Sequence, residues 1–359
     1  MSCADCGKAG GASLKVCKSC MRAKYCNATC QLNHWATHKT ECKLRAAELR
    51  DDALFKDPPA KEDCPICFLP MPAKLISCIS LPDATISSVP IYDFAIANEE
   101  LANFDTCHYY ECCGKSMCRG CMTSFFHSRN HDKCPFCKAE RNVYATDEDN
   151  VEEIRKRVAA NDAGAIWVLG IYYYHGYNGL QQDHTKSTEL WTQAAKLGSS
   201  DAHCNLGMLY DEGGNMKKAK FHLGAAAMEG HEMARFNLAL LEAESGNMER
   251  AVKHWAIAAS GGEYLAMHQL TVFYEKGYVS RDSINSTLAA YNNSCAEMRS
   301  EARDACIRAC IQVTTETNEG NTPTRGGPDE VILRMLNAQP RSAARDDLIR
   351  MITEDMRNL

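Results

Sequence analysis

The amino-acid sequence predicts a mixed architecture: two small, cysteine-rich, metal-stabilised modules followed by an all-α solenoid of helical hairpins. Three observations carry this expectation. The 21 cysteines of the 359 residues are bunched, with seven in 1–42, ten in 64–137 and four in the rest. Many of the bunched ones form Cys-x-x-Cys pairs, whose two sulfurs chelate one ion readily. Beyond residue 151, small and apolar residues recur at a step of 32, the mark of stacked repeats. The length suits two or three domains, and 45% hydrophobic residues are enough to bury cores.

Cysteine density could mean a disulfide scaffold or a metal protein. Residues 1–15 lack the apolar core of a signal peptide. No apolar run approaches the roughly 20 residues that cross a bilayer. A reducing compartment, cytoplasmic and/or nuclear, is therefore expected, with zinc bound instead of disulfides formed and no membrane partner. The net charge of −6 divides as +6 over 1–50, −4 over 51–144 and −8 over the remainder. A basic leading module is compatible with nucleic-acid contact, but a solvated basic face is the commoner meaning, so nucleic acid is not an expected partner.

In residues 1–44 the candidate ligands read Cys3-x-x-Cys6, Cys17-x-x-Cys20, Cys26-x-x-x-Cys30 and His38-x-x-x-Cys42. Eight soft or borderline ligands suffice for two closed tetrahedral zinc sites. So short a segment cannot fold on apolar burial alone, and metal binding would supply most of its folding energy. With Tyr25, Gln31, Trp35 and Lys39 at their spacings, the segment resembles the MYND zinc finger. The resemblance implies interleaved sites: Cys3 and Cys6 with Cys26 and Cys30, and Cys17 and Cys20 with His38 and Cys42. It also implies a proline-rich peptide ligand on Gln31 and Trp35. A polyproline helix is ordered before it docks and loses little entropy. Trp35 could equally be core in so small a domain. His34 is expected to be exposed.

In residues 60–142 the pattern is Cys64-Pro-Ile-Cys67, Cys112-Cys113-Gly-Lys, Cys118-Arg-Gly-Cys121 and Cys134-Pro-Phe-Cys137. Three pairs and a fourth cysteine group again fit two zinc sites, making four ions per chain. The order resembles a RING finger. The resemblance implies that Cys64, Cys67, Cys118 and Cys121 hold one ion, and Cys134 and Cys137 the other with two ligands from the middle segment. There the usual Cys-x-His falls on Cys113 and Lys115, and a protonated lysine is no ligand. Cys112 is the expected substitute; Cys107 and His108 are the alternative. The insertion between Cys67 and Cys112 is long, with a short helix expected in 91–104 and Cys78 a plain buried thiol. Phe125 and Phe126 are expected in the core.

A RING finger of a ubiquitin ligase has no nucleophile; it holds a ubiquitin-conjugating enzyme and its charged ubiquitin in a reactive geometry. The resemblance implies contacts from Ile66, Pro135 and Lys138. Arginine is usual at the position of Lys138, and lysine lacks its planar fork. The alternative is a purely structural zinc module.

Over 151–312 the recurrences are Ala165, Ala202, Ala234 and Ala266; Leu169, Leu206, Leu238 and Leu270; Ala194, Ala226 and Ala258; and Gly198, Gly230 and Gly262. Trp191, Leu223 and Trp255 keep the same step. Each unit thus predicts two helices that cross at small residues, with a glycine where the second stops. The first unit has five extra residues in its loop around HGYNGLQQD, and the fourth fades after Tyr274. With Ala202, Leu206, Gly207 and Tyr210, the array resembles Sel-like repeats, relatives of the tetratricopeptide repeat. The resemblance implies a curved solenoid that grips an unidentified protein; a rigid spacer is the bland alternative. A closing helix is expected over 301–313, with Cys295, Cys306 and Cys310 inert. A flexible linker and a terminal helix (342–359) would fill 313–359.

No phosphate loop, dinucleotide fingerprint or nucleophile elbow is present. The combination suggests a modular RING-type ubiquitin ligase that recruits substrates through its finger and repeats. The alternative is a non-catalytic zinc-finger scaffold or adaptor, such as one of transcription.

Overall fold

The computed structural model describes residues 2–9, 14–71, 107–127, 133–140, 146–298 and 300. The expected helix in 91–104, Cys78, and everything expected beyond 300 lie outside the described residues, as do the side chains of Cys107, His108 and Phe126. The chain divides into two compact units, Met1–Asp57 and Pro58–Leu359.

In the first unit, β1 (Lys15–Val16) pairs antiparallel with β2 (Lys24–Tyr25). Helix α1 (Ala28–Leu54) follows, and its N-cap Asn27 accepts from the Cys30 N–H at 2.9 Å. Such a cap satisfies a helix donor that would otherwise be orphaned, worth about 1 kcal/mol. Here it also sets where Cys30 sits. The core is Tyr25 surrounded by Cys3, Cys17, Cys20, Cys30 and Cys42, so little besides metal ligands is buried.

The second unit begins with a further cysteine module. Strands β3 (Cys107–Tyr110) and β4 (Lys115–Cys118) form a hairpin, and α2 (Arg119–His127) continues from it. Tyr110 and Met117 are buried among Cys64, Cys118, Cys121 and Cys134. Phe136 meets the Tyr110 ring edge-on at 5.5 Å.

The array opens with α3 (Asp147–Ala159), started by a capping box between Thr146 and Asp149. Among the described residues, four hairpins follow. Their first helices are α4 (Ala163–His175), α6 (Ser200–Glu212), α8 (Glu232–Glu244) and α10 (Tyr264–Glu275). Their second helices are α5 (His184–Lys196), α7 (Met216–Met228), α9 (Met248–Ser260) and α11 (Arg281–Glu297). The caps keep the repeat register: Asp162, Ser199, His231 and Glu263 each accept a backbone N–H at the start of a first helix. After α5, α7 and α9, glycines 198, 230 and 262 turn left-handed at φ 92, 85 and 91°, a conformation other residues reach at a cost.

The recurring alanines, leucines and tryptophans are buried as the sequence pattern requires. Small residues let helices cross closely: a Cβ on Gly170 would lie 2.6 Å from Trp191 Cδ1, and one on Gly207 2.6 Å from Leu223 Cγ. The extra residues of the first unit fall in its inter-helix loop, where Gly176, Asn178 and Gly179 all take positive φ. The fourth unit does not stop where its sequence pattern fades. Helix α11 completes it, burying Ile284, Leu288 and Tyr291.

Within the second unit the cysteine module rests on the array. Tyr109 packs against Gly164 and beside the Arg157–Asp162 ion pair, and Gly114 lies close to the Arg157 guanidinium.

Candidate metal centres and contact surfaces

Among the described residues, the structure gathers the cysteines into four groups of four ligands: Cys3, Cys6, Cys26 and Cys30; Cys17, Cys20, His38 and Cys42; Cys64, Cys67, Cys118 and Cys121; and Cys112, Cys113, Cys134 and Cys137. In each, all ligand atoms lie within 4.8 Å of one another. Sulfur–sulfur distances are 3.7 Å for Cys6–Cys26, 3.7 Å for Cys17–Cys42, 3.9 Å for Cys67–Cys118, 3.8 Å for Cys113–Cys134 and 3.6 Å for Cys112–Cys137. A disulfide needs about 2.05 Å. A tetrahedron with Zn–S bonds of about 2.3 Å has edges of about 3.8 Å. The residues therefore fit zinc and do not fit cystine. His38 presents Nε2, which lies 3.3 Å from Cys20 Sγ.

Both pairs of groups interleave. In the first unit each group takes one knuckle from the N-terminal segment; α1 carries Cys30, His38 and Cys42, with Cys26 just before its cap. In the second module the groups alternate along the chain, so the two centres tie the same segments together crosswise. Cys112 and Cys113 sit in the β3–β4 turn, which delivers both sulfurs to Cys134 and Cys137. Cys107 pairs with Cys118 at the opposite end of that hairpin.

Four of the Cys-x-x-Cys turns share one backbone design. The residue after the second cysteine is left-handed, Gly7, Met21, Phe68 and Lys138 having φ 68, 56, 55 and 61°. Each returns an N–H to the carbonyl of the first cysteine at 2.8–3.1 Å. The turn aims further N–H groups at the first sulfur. Those of Cys6, Cys26 and Asp5 bring the Cys3 thiol down to about 6. Burial raises Cys64, yet N–H groups of Cys118, Cys67 and Ile66 outweigh it and bring the thiol to about 7. Cys134 is lowered in the same way, against burial, by Cys137 and Phe136. Burial pushes Cys42 up to about 12, with the sulfurs of Cys17 and Cys20 adding to it. Each group thus pairs a sulfur held toward the thiolate with one held toward the thiol, so metal binding and proton release are coupled.

The candidate contact residues lie around these centres. Trp35 is 39% exposed and meets the ligand His38 edge-on at 6.4 Å, so it is both surface and support. Gln31 is half-buried one helical turn earlier. His34 corrects the expectation of an exposed residue: it is half-buried, accepts or donates through Nδ1 to Tyr25 Oη at 3.0 Å, and stacks on His38. In the second module Ile66 is 43% exposed, Pro135 half-buried and Lys138 exposed. Two apolar surface residues escaped the sequence reading, Phe68 at 77% exposure and Leu32 at 74%. For Phe68 the position directly after a knuckle's second cysteine is legible in the sequence, but not that the residue there is left-handed and exposed. On the described array, Phe221 and Tyr278 are the most exposed apolar side chains. No described helix is long and apolar enough to cross a membrane.

Among curated proteins, none matches the chain. Two solved structures are similar over the array. One is a protective antigen present in uropathogenic Escherichia coli strains that displays an SLR fold, 19% identical with a TM-score of 0.35, covering 50% of this chain and 46% of the antigen. The chain thus spans less than half of that protein. The other is a Sel1 repeat protein from Oxalobacter formigenes, 19% identical with a TM-score of 0.37, covering 48% of this chain and 80% of that protein. Residues 3–42, the span of the first two ligand groups, match the MYND finger family. Residues 3–42 thus match a MYND finger whose donor groups fit zinc, ahead of a helical-repeat array.

Proposed function

We propose that the chain binds four zinc ions and works as a RING-type ubiquitin ligase, with the 64–137 module holding a charged ubiquitin-conjugating enzyme. The observation that carries this reading is the crosswise assembly of Cys64, Cys67, Cys118 and Cys121 with Cys112, Cys113, Cys134 and Cys137. It places the Ile66 and Pro135 knuckles on one small frame, and Ile66 and Phe68 offer exposed apolar area. Such a frame acts by positioning two reactants, for which effective molarities are large. In this reading a proline-rich peptide docks on Gln31 and Trp35 of the MYND finger, a further protein docks on the array, and the protein works in the cytoplasm or nucleus.

Ubiquitin discharge from a panel of charged conjugating enzymes tests it. Acceleration by the zinc-loaded chain, weakened several-fold by Ile66→Ala and by Phe68→Ala, is the expected result. No acceleration across a broad panel sinks the ligase reading. A non-catalytic scaffold or adaptor is the second reading, and one observation favours it: the Lys138 ammonium is turned back onto its own knuckle, donating to the Pro135 carbonyl at 3.0 Å.

A further inference from the structure

The stretch of chain before Cys64 lies on the array, although it belongs to no helix or strand. Pro59 covers the left-handed Gly230: a Cβ built there would be 3.3 Å from Pro59 Cγ and 3.4 Å from Cδ. Two residues on, Lys61 Nζ lies 2.6 Å from Glu232 Oε1, with the two side chains only 20% and 14% exposed. Met298 Sδ is 3.6 Å from the same ammonium. Glu263, 1% exposed, lies close enough for its carboxyl to feel the charges of both Glu232 and Lys61. Gly230 and Glu232 come from the junction of α7 and α8, Glu263 from the equivalent junction one repeat later. The seat is therefore a product of stacking two units.

Its equivalents along the array show what it selects. Gly262, one repeat on, is covered by Met298, whose Cε lies 2.6 Å from a Cβ built there. Gly198, one repeat earlier, has nothing within 4 Å among the described residues. A glycine junction thus accepts one apolar group. Among the described residues, the junction at 230 adds the Glu232 carboxylate, which demands a cation about two residues from that group.

We propose that this junction is a recognition site for extended Pro-x-Lys segments of other proteins, held closed in this chain by its own Pro59-Ala60-Lys61. The first position is a proline ring seated on Gly230, where a Cβ would lie 3.3 Å from Pro59 Cγ and crowd it. The Glu232 carboxylate selects lysine by charge. Among the described residues, one ion pair and a few apolar contacts hold the cis segment to the array, so it can lift without unfolding the array. Being tethered, it competes at a high effective concentration, and a free peptide binds well only when the tethered one is weakened.

The test uses the full zinc-loaded chain and a fluorescent peptide of residues 56–63, KDPPAKED. Lys61→Glu should expel the cis segment by repulsion from Glu232. That variant is expected to bind the peptide roughly tenfold more tightly than the wild-type chain does. Adding Glu232→Ala should abolish binding, and a peptide with glutamate in place of its second lysine should not bind. A folded Lys61→Glu chain that ignores the peptide would overturn the proposal and leave the contact as an anchor only. If Lys61→Glu does not fold, hydrogen exchange of the wild-type chain decides. Excess peptide must speed exchange at 60–62, and unchanged exchange refutes the site.

Discussion

Lys138 donates from Nζ to the Pro135 carbonyl oxygen at 3.0 Å, closing the last cysteine knuckle with its side chain as well as its backbone. Lys138 also occupies the left-handed position of that knuckle, at φ 61°. These two roles separate by substitution. Lys138→Gly keeps the turn, since glycine takes positive φ without strain, and removes the ammonium. Zinc content and melting should stay as in the wild type, while discharge of a charged conjugating enzyme should fall several-fold. Lys138→Arg restores a planar, multi-donor cation and should exceed the wild type. A Lys138→Gly chain as active as the wild type would show that the ammonium serves only its own knuckle.

The metal count gives a second prediction. Cys112 and Cys113 are neighbours in one turn, and both sulfurs reach the Cys134–Cys137 knuckle. Native mass spectrometry should find four zinc ions in the wild type and about three in Cys112→Ala. Cys107→Ala should keep all four. Loss of an ion from Cys107→Ala with none from Cys112→Ala would move the ligand to the other end of the hairpin.

Much of this was legible because it is local. A Cys-x-x-Cys pair is already a chelate, and a period of 32 says that helices repeat before it says how they pack. Cys112 as a substitute ligand is expected from the resemblance to a RING finger, with Cys107 and His108 as the alternative. What could not be read depends on closure. Met21, Phe68 and Lys138 are left-handed because a knuckle must bring N–H groups onto its first sulfur, and nothing in their side chains announces it. The Tyr25–His34 hydrogen bond exists because Asn27 fixes where α1 begins. Pro59 and Lys61 look like linker, and only the stacked junction of α7 and α8 gives them a seat.

The crossing glycines make a third prediction. Alanine favours a helix over glycine by about 1 kcal/mol, so Gly→Ala would ordinarily stabilise α4 or α6. A Cβ at 170 or 207, however, meets the rigid indole of Trp191 or the branch point of Leu223, in each case at 2.6 Å. Overpacking of this kind costs about 1–3 kcal/mol. Gly170→Ala and Gly207→Ala should each lower the melting temperature by a few degrees. Gly213→Ala is the control: its φ is −76° and its nearest neighbour would be an ordinary 3.4 Å away, so its melting should not fall.

The last prediction concerns Glu263, whose carboxyl is pushed up to about 8, chiefly by burial and further by Glu232, with the Leu265 N–H and Lys61 pulling the other way. An unfolded glutamate titrates near 4.3. Between those values the folded chain keeps a proton that the unfolded chain has released, so this group's contribution is complete below about 4.3 and is lost as pH rises toward 8. Urea unfolding at pH 6, 7 and 8 should therefore show falling stability from this residue, on the order of 2 kcal/mol over the range. Glu263→Gln keeps a neutral acceptor for the Leu265 N–H and has no proton to lose. Zinc ligands titrate alike in both proteins, so the wild-type minus variant difference isolates Glu263. A difference that stays flat from pH 6 to 8 would mean the carboxylate is already ionised and paired with Lys61 throughout.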